Sequence, residues 1–184
     1  AKVKEFKENF GNPARLIIHF YKRISDDDIK PIEDALIELD FPNPIPIFII
    51  TINKTYAKDI VAFDRTKGNP HLMPYSGTYI PIGNKKYLLF NSSRHQTGMF
   101  NSRDGVPFPI KLAIECTVEN ELDNSQTINE LIDQVYQFSR MYWKSLAQQS
   151  LPVTVSYPEM VAEVAPYFEG GVIPPEGKDN LWFL

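Results

Sequence analysis

Two short apolar runs flanking one amphipathic stretch constrain this chain more than anything else in it. Arg15-Leu-Ile-Ile-His-Phe-Tyr21 and Ile45-Pro-Ile-Phe-Ile-Ile-Thr-Ile52 are rich in β-branched and aromatic residues. Runs of that length and composition read as buried strands. Between them, Ser25 with Asp26, Asp27 and Asp28 supplies N-cap candidates and charges that favour a helix start. Ile29, Ile32, Leu36 and Leu39 follow at helical spacing, which predicts one amphipathic helix over 28–39. Pro31 then falls in its first turn, where a missing N–H is tolerated. Strand, helix, strand in this order implies a right-handed parallel crossover.

The remaining chain adds antiparallel pieces and two helices. Residues 58–63 are a third strand candidate. Residues 78–82 and 87–90 flank Gly83-Asn84, a two-residue hairpin signal. Residues 110–118 alternate moderately and read as a strand. The stretch 91–109 is a long loop rich in Ser, Asn, Gly and Arg, of the kind that often carries function. The longest predicted helix covers 127–147, opened by a Thr127/Glu130 capping box. Its apolar stripe is Ile128, Leu131, Ile132, Val135, Phe138 and Tyr142. After Pro152 the sequence predicts a short strand over 153–155, then a helix opened by Pro158, then an extended, apolar-ended tail. The sum is an α/β fold, a mixed β-sheet flanked by helices.

Composition bounds the function classes. The 184 residues suit one domain or a large piece of one, and the chain opens on Ala1-Lys-Val-Lys without an initiator Met, so it reads as part of a longer product. A single Cys116 excludes an internal disulfide framework and points to a reduced, cytoplasmic setting. No apolar run reaches membrane-span length. The net charge of −4 argues against a general nucleic-acid binder, yet it is unevenly spread. Lys85, Lys86, Arg94, Arg103 and Lys111 face only Asp104 and Glu115 within residues 84–116, whereas 117–184 is strongly acidic. A basic middle of this kind can attract phosphate in an acidic chain, although it is equally what an ordinary solvated surface looks like.

Most catalytic signatures are missing. There is no Gly-rich phosphate loop, no G-x-S-x-G and no H-E-x-x-H. His19, His71 and His95 have no metal-ligand spacing, and Cys116 within a strand reads as an inert thiol. The Asp26, Asp27, Asp28 triplet is better explained by a helix N-terminus than by a metal.

The last third is more specific. Ser139-Arg-Met-Tyr142-Trp-Lys144 closes the predicted helix, and Leu151-Pro-Val-Thr-Val-Ser-Tyr-Pro-Glu-Met-Val-Ala162 follows. This pairing resembles the end of the PIWI domain of Argonautes. Upstream, Leu16-Ile-Ile-His-Phe-Tyr-Lys22, Ile47-Phe-Ile-Ile-Thr-Ile-Asn-Lys54, Gly77-Thr-Tyr-Ile and Asn91-Ser-Ser-Arg-His-Gln-Thr-Gly98 resemble further PIWI segments in the same order. The resemblance covers residues 14–184 as the C-terminal half of a PIWI domain of a prokaryotic Argonaute, with 1–13 as a lead-in. It implies an RNase H-like fold. It also implies that a MID domain and the N-terminal half of PIWI lie on other sequence.

The same resemblance carries chemistry. Active PIWI domains use clustered carboxylates for two-metal hydrolysis. The third position falls near Tyr21, Lys22 and Arg23, none of which is a carboxylate, and the fourth falls at Glu159. Such a degenerate site resembles the short, catalytically inactive Argonautes, which bind a guide RNA or DNA and its complementary target. Their effector partner is a sirtuin, TIR or nuclease domain acting in prokaryotic defence. Tyr142 and Lys144 match phosphate-contacting positions; Arg94 and Gln96 lie in the polar loop as further nucleic-acid contacts. The terminal carboxylate of Leu184 matches a ligand for Mg2+ at the guide 5′-phosphate pocket. Two alternatives remain open at this point: an active RNase H-type guided nuclease rebuilt around Asp64 or Asp104, and a protein-interaction module that docks an effector and holds no nucleic acid.

Overall fold

The structure is a computed structural model that describes residues 2–55, 64–65, 74–91, 108–118, 120–142, 151–168 and 170. The predicted strand over 58–63, most of the 91–109 loop and the tail from 171 lie outside the described residues.

Helix α1 (Lys2–Phe10) leads into strand β1 (Leu16–Phe20), helix α2 (Asp26–Ile37) and strand β2 (Ile47–Lys54). Strands β3 (Tyr79–Gly83), β4 (Lys86–Leu89) and β5 (Ile110–Cys116) follow, then helices α3 (Ser125–Phe138) and α4 (Val153–Val164). The five strands form one sheet in the order β1-β2-β5-β4-β3. β1 and β2 are parallel, with Ile17 opposite Phe48 and His19 opposite Ile50; every other pairing is antiparallel. The expected strand–helix–strand crossover in a mixed sheet is therefore present.

Burial explains why β2 reads as one unbroken apolar run. On one face, Phe48, Ile50 and Ile52 enter a core with Leu112 and Ile114 of β5 and with Leu131 and Val135 of α3. On the other, Ile47 and Ile49 pack with Ile24 under Ile29, Ile32 and Leu36 of α2. A strand covered on both faces has no polar side to alternate. β5 does alternate: Ile110, Leu112 and Ile114 are buried, while Lys111 and Glu115 are exposed.

Several local expectations are corrected. The hairpin turn is Asn84-Lys85, both at positive φ, and Gly83 pairs with Lys86. Two left-handed residues are what a right-twisted hairpin needs. Lys85 is held there by its ammonium, which donates to the Leu122 carbonyl and meets Asp123 at 3.3 Å. Pro31 is the sixth residue of α2 rather than part of its first turn, so it leaves the exposed Asp27 carbonyl without a helical donor. The cap of α3 is Asn124, whose side chain accepts from the Gln126 N–H at 2.9 Å, in place of the Thr127/Glu130 box. Glu130 instead accepts from Gln126 at 3.1 Å and pairs with Arg15 at 2.9 Å. These two bonds hold its carboxyl below the ordinary glutamate range, the Gln126 bond most strongly.

Helix α3 also stops at Phe138, well before residue 147, with the Ser139 hydroxyl donating to the Val135 and Tyr136 carbonyls. The predicted strand over 153–155 is the first turn of α4: the Val155 and Ser156 N–H groups donate to the Pro152 carbonyl. Burial of Val155 in the core overrides the β preference of Val-Thr-Val. Pro158 consequently sits inside α4 instead of opening it. The lead-in contains α1, tied to the domain by Lys7, which donates to the Leu39 and Asp40 carbonyls and lies 4.7 Å from the Phe41 ring.

Candidate nucleic-acid interface

The C-terminal end of β1 is where the two strongest expectations meet, the degenerate carboxylate position and the start of the last helix. β1 finishes at Phe20, and the next three residues are exposed. Tyr21 is 63% exposed and lies against Phe20. The Lys22 ammonium stands 6.0 Å from the Phe20 ring, and its carbonyl lies 3.5 Å from the Thr51 hydroxyl. Arg23 reaches back over the sheet to Glu115 at 3.9 Å. The first carboxylates after β1 belong to α2. Asp28 accepts from the Ser25 hydroxyl at 2.7 Å and the Ser25 N–H at 3.1 Å, which lowers its pKa. Asp26 lines a cleft of about 310 Å³ with Glu33, Glu115 and Cys116. Burial raises the Cys116 thiol above its ordinary value, consistent with an inert side chain.

Helix α4 is bound to β1 through a contact that the sequence did not disclose. His19 Nδ1 lies 2.7 Å from the Thr154 hydroxyl, and its ring stands edge-on to Phe138, the last residue of α3, at 5.8 Å. One imidazole thus ties the sheet to the ends of two helices. Loss of water around the ring lowers the His19 pKa to about 4, so it is neutral at physiological pH. The only signal in the sequence was a polar residue within an apolar strand, which as often marks a satisfied core histidine.

This shift has a stability consequence. The folded value lies below that of a free imidazole, so the unfolded chain binds more protons between the two. The contribution is complete above about pH 6.5 and is lost as pH falls toward 4. Urea unfolding should show a loss of about 2 kcal/mol by pH 5 attributable to this group. His19→Gln should unfold with a flatter pH dependence over that window. Equal pH dependence in both proteins would show that the ring is hydrated.

The remaining predicted residues distribute unevenly. Tyr142 is half-buried beyond the end of α3, so it is not part of a continuous helical stripe. Its ring lies 6.3 Å from Tyr157 of α4, at 62°. Glu159 is exposed in the second turn of α4 rather than its first. It is five residues beyond Thr154, which at about 100° per residue turns it roughly 140° away from the His19 contact. The fold therefore brings Tyr142 to Tyr157 and β1 to Thr154, but it does not gather Glu159 with them. Arg94, Gln96, Lys144 and Leu184 lie outside the described residues. Among the described residues, no group of three or more His, Cys, Asp or Glu side chains could hold a metal ion. No helix there is long and apolar enough to cross a membrane.

Gly77 has a physical reason for its place in the motif. Its φ is +92°, its N–H donates to the Phe90 carbonyl at 2.8 Å, and a Cβ there would stand 3.5 Å from the Tyr136 ring. The neighbouring Ser76 hydroxyl lies 3.2 Å from the Tyr136 hydroxyl, which fixes the entry to the hairpin on α3.

Comparison with known proteins agrees with this architecture. No family model matches the chain. It is 27% identical over 178 residues to a Piwi protein of Archaeoglobus fulgidus, covering 88% of this chain and 40% of that protein. In fold it resembles the Clostridium butyricum Argonaute bound to a guide DNA and a 19-mer target DNA, with a TM-score of 0.53 and 22% identity. That likeness covers 92% of this chain but 20% of the Argonaute. The chain thus spans less than half of each relative. The fold is an RNase H-like mixed sheet of the PIWI type, and the resemblance to part of a prokaryotic Argonaute holds in both sequence and structure.

Proposed function

We propose that this chain, a likeness of the C-terminal half of a prokaryotic Argonaute PIWI domain, holds a guide strand in nucleic-acid-guided defence and has no slicing activity of its own. The observation that carries this reading is the end of β1. A chain with this fold presents Tyr21, Lys22 and Arg23 there, and the hard cations of two-metal hydrolysis need anionic carboxylate ligands, which none of the three side chains supplies. Lys22 and Arg23 would repel a divalent ion and attract a phosphate instead.

The edge of β1 supports the rest of the proposed assembly. Among the described residues β1 pairs only with β2, and all five of its residues are half-buried rather than enclosed. An N-terminal half of PIWI, preceded by a MID domain, would supply strands to that edge. Guide phosphates would then run past Tyr142 and Lys144, with Arg94 and Gln96 as further contacts. Such contacts position a strand without reading its sequence. The effector that responds to target recognition would act from another domain or chain.

Lys144→Ala tests the guide-holding part. A lysine that neutralises a phosphate releases counterions, so its loss should flatten the slope of log affinity against log salt by about 0.7 on a single strand. Affinity should fall alike for guides of different sequence. An unchanged slope would remove Lys144 from the interface. No salt-dependent guide binding by the full protein at all would leave the effector-docking module as the better reading.

A further inference from the structure

Helix α4 meets the core, β1 and the segment after α3 near its own start. Val155 enters the core with Leu131, Ile132 and Val135 of α3. The Thr154 hydroxyl lies 2.7 Å from His19 Nδ1 on β1. The Tyr157 ring stands 6.3 Å from that of Tyr142, at 62°. At about 100° per residue, Thr154 lies about 100° from Val155 and about 60° from Tyr157 around the helix axis. It is therefore placed between the side chain that enters the core and the side chain that meets Tyr142.

These contacts constrain the helix differently. Burial of Val155 is non-directional and tolerates rotation of α4 about its own axis. A hydrogen bond weakens steeply once its angle falls below about 120°, so the His19–Thr154 bond sets that rotation. With side chains about 5–6 Å from the axis, a roll of about 20° carries Tyr157 through about 2 Å. Tyr142 would follow or lose its aromatic contact. The chain leading to Tyr142 is fixed from the other side. Ser139, 2% exposed, donates its hydroxyl to the Val135 and Tyr136 carbonyls, and the Arg140 guanidinium lies 5.8 Å from the Tyr136 ring. His19 touches this side too, since its ring stands edge-on to Phe138 at 5.8 Å. A half-buried polar ring in an otherwise apolar strand thus contacts the end of α3 and the start of α4, the two elements that bracket Tyr142.

We infer that His19 is a positioning residue for the guide contact: its hydrogen bond to Thr154 fixes the rotation of α4, and Tyr157 passes that placement to the Tyr142 hydroxyl, which meets a guide phosphate. In this role His19 need not touch the nucleic acid. An apolar side chain at position 19 would fill the same space between β1 and the two helices but would leave the roll of α4 unset. That accounts for a polar residue where valine or isoleucine would pack as well. The inference rests on the guide-holding reading above and deepens it.

The test combines fluorine NMR of the fluorotyrosine-labelled full protein with fluorescence anisotropy of a labelled, 5′-phosphorylated single strand, as DNA and as RNA. The Tyr142 and Tyr157 signals are assigned by their loss in Tyr142→Phe and Tyr157→Phe. Thr154→Val keeps the side-chain shape without the hydroxyl and should shift both signals in the free protein; Thr154→Ser should return them. A hydrogen bond to a charged phosphate is strong, so Tyr142→Phe should weaken binding about tenfold or more. Thr154→Val should weaken it by a similar factor, and Thr154→Ser should restore it. Thr154→Val/Tyr142→Phe should bind no more weakly than Tyr142→Phe alone, because both changes remove one interaction. Ile132→Val, which loosens the core without touching this bond, should leave signals and affinity unchanged at a temperature where every variant is folded. Thr154→Ala replaces the valine variant if that protein fails to fold. Unmoved signals or unchanged affinity in Thr154→Val, or losses that multiply in the double variant, would overturn the positioning role while Tyr142 kept its guide contact. Unchanged affinity in Tyr142→Phe would overturn the guide contact itself, and this inference with it.

Discussion

Val135→Asp should abolish cooperative folding. Val135 lies on α3 at 0% exposure, one turn from Leu131 and Ile132, in the core formed by Phe48, Ile50, Leu112 and Ile114. Among the described residues, no buried cation is there to meet a carboxylate. Leaving a charged or even a protonated polar group unpaired at such a site costs several kcal/mol. Domains of this size retain only about 5–15 kcal/mol in total. Circular dichroism with urea should show either no transition or a midpoint far below that of the parent. Gln137→Lys, two residues on and exposed, should stay within about 0.5 kcal/mol of the parent and serves as the control. A Val135→Asp protein with parental stability would mean that this face of α3 meets water, and the sheet-on-helix core described above would be wrong.

The same core shows which features were legible in the sequence. β1, α2 and β2 could be read directly because burial on one or both faces leaves a periodicity that survives in the residue pattern. The α3 stripe was legible for the same reason as far as Phe138. Its end was not, because Tyr142 extends the helical spacing although the chain has already left the helix. α4 was misread at its start: Val153-Thr-Val155 has strand-forming residues, and only the packing of Val155 on the core decides for a helix. The hairpin was found but its turn was placed one residue early, since Gly83 looks like the left-handed residue while Asn84 and Lys85 occupy those positions with it.

The site divides along similar lines. Residue identity alone showed that the end of β1 has no carboxylate. The His19–Thr154 contact spans 135 residues, so no local pattern can encode it. Strand register likewise had to come from the structure: it sets Lys86 opposite Ala113 and Lys111 opposite Leu88, residues far apart in the chain.

No divalent-metal-dependent cutting of a guided target is expected, whether the metal is Mg2+ or Mn2+. Two-metal hydrolysis needs several carboxylates converging on ions about 3.5–4 Å apart. Among the described residues, the carboxylates that follow β1 and Glu159 are committed elsewhere or point away. Asp28 closes the start of α2 on Ser25, Asp26 faces the cleft with Glu33 and Glu115, and Glu115 pairs with Arg23. Glu159 is turned roughly 140° from the α4 face that meets β1. Bringing it to the end of β1 would require α4 to rotate, which would break the His19–Thr154 contact and expose Val155. The difference between a competent and an incompetent site is many orders of magnitude in rate, so a gel assay with the full protein, a 5′-phosphorylated guide and a labelled complementary target decides the matter. The expected lanes show intact target at all times, while a binding assay on the same mixture shows the complex. Cleavage that disappears on Glu159→Ala would show instead that Glu159 does reach the reacting phosphate, and the active-nuclease reading would replace this one.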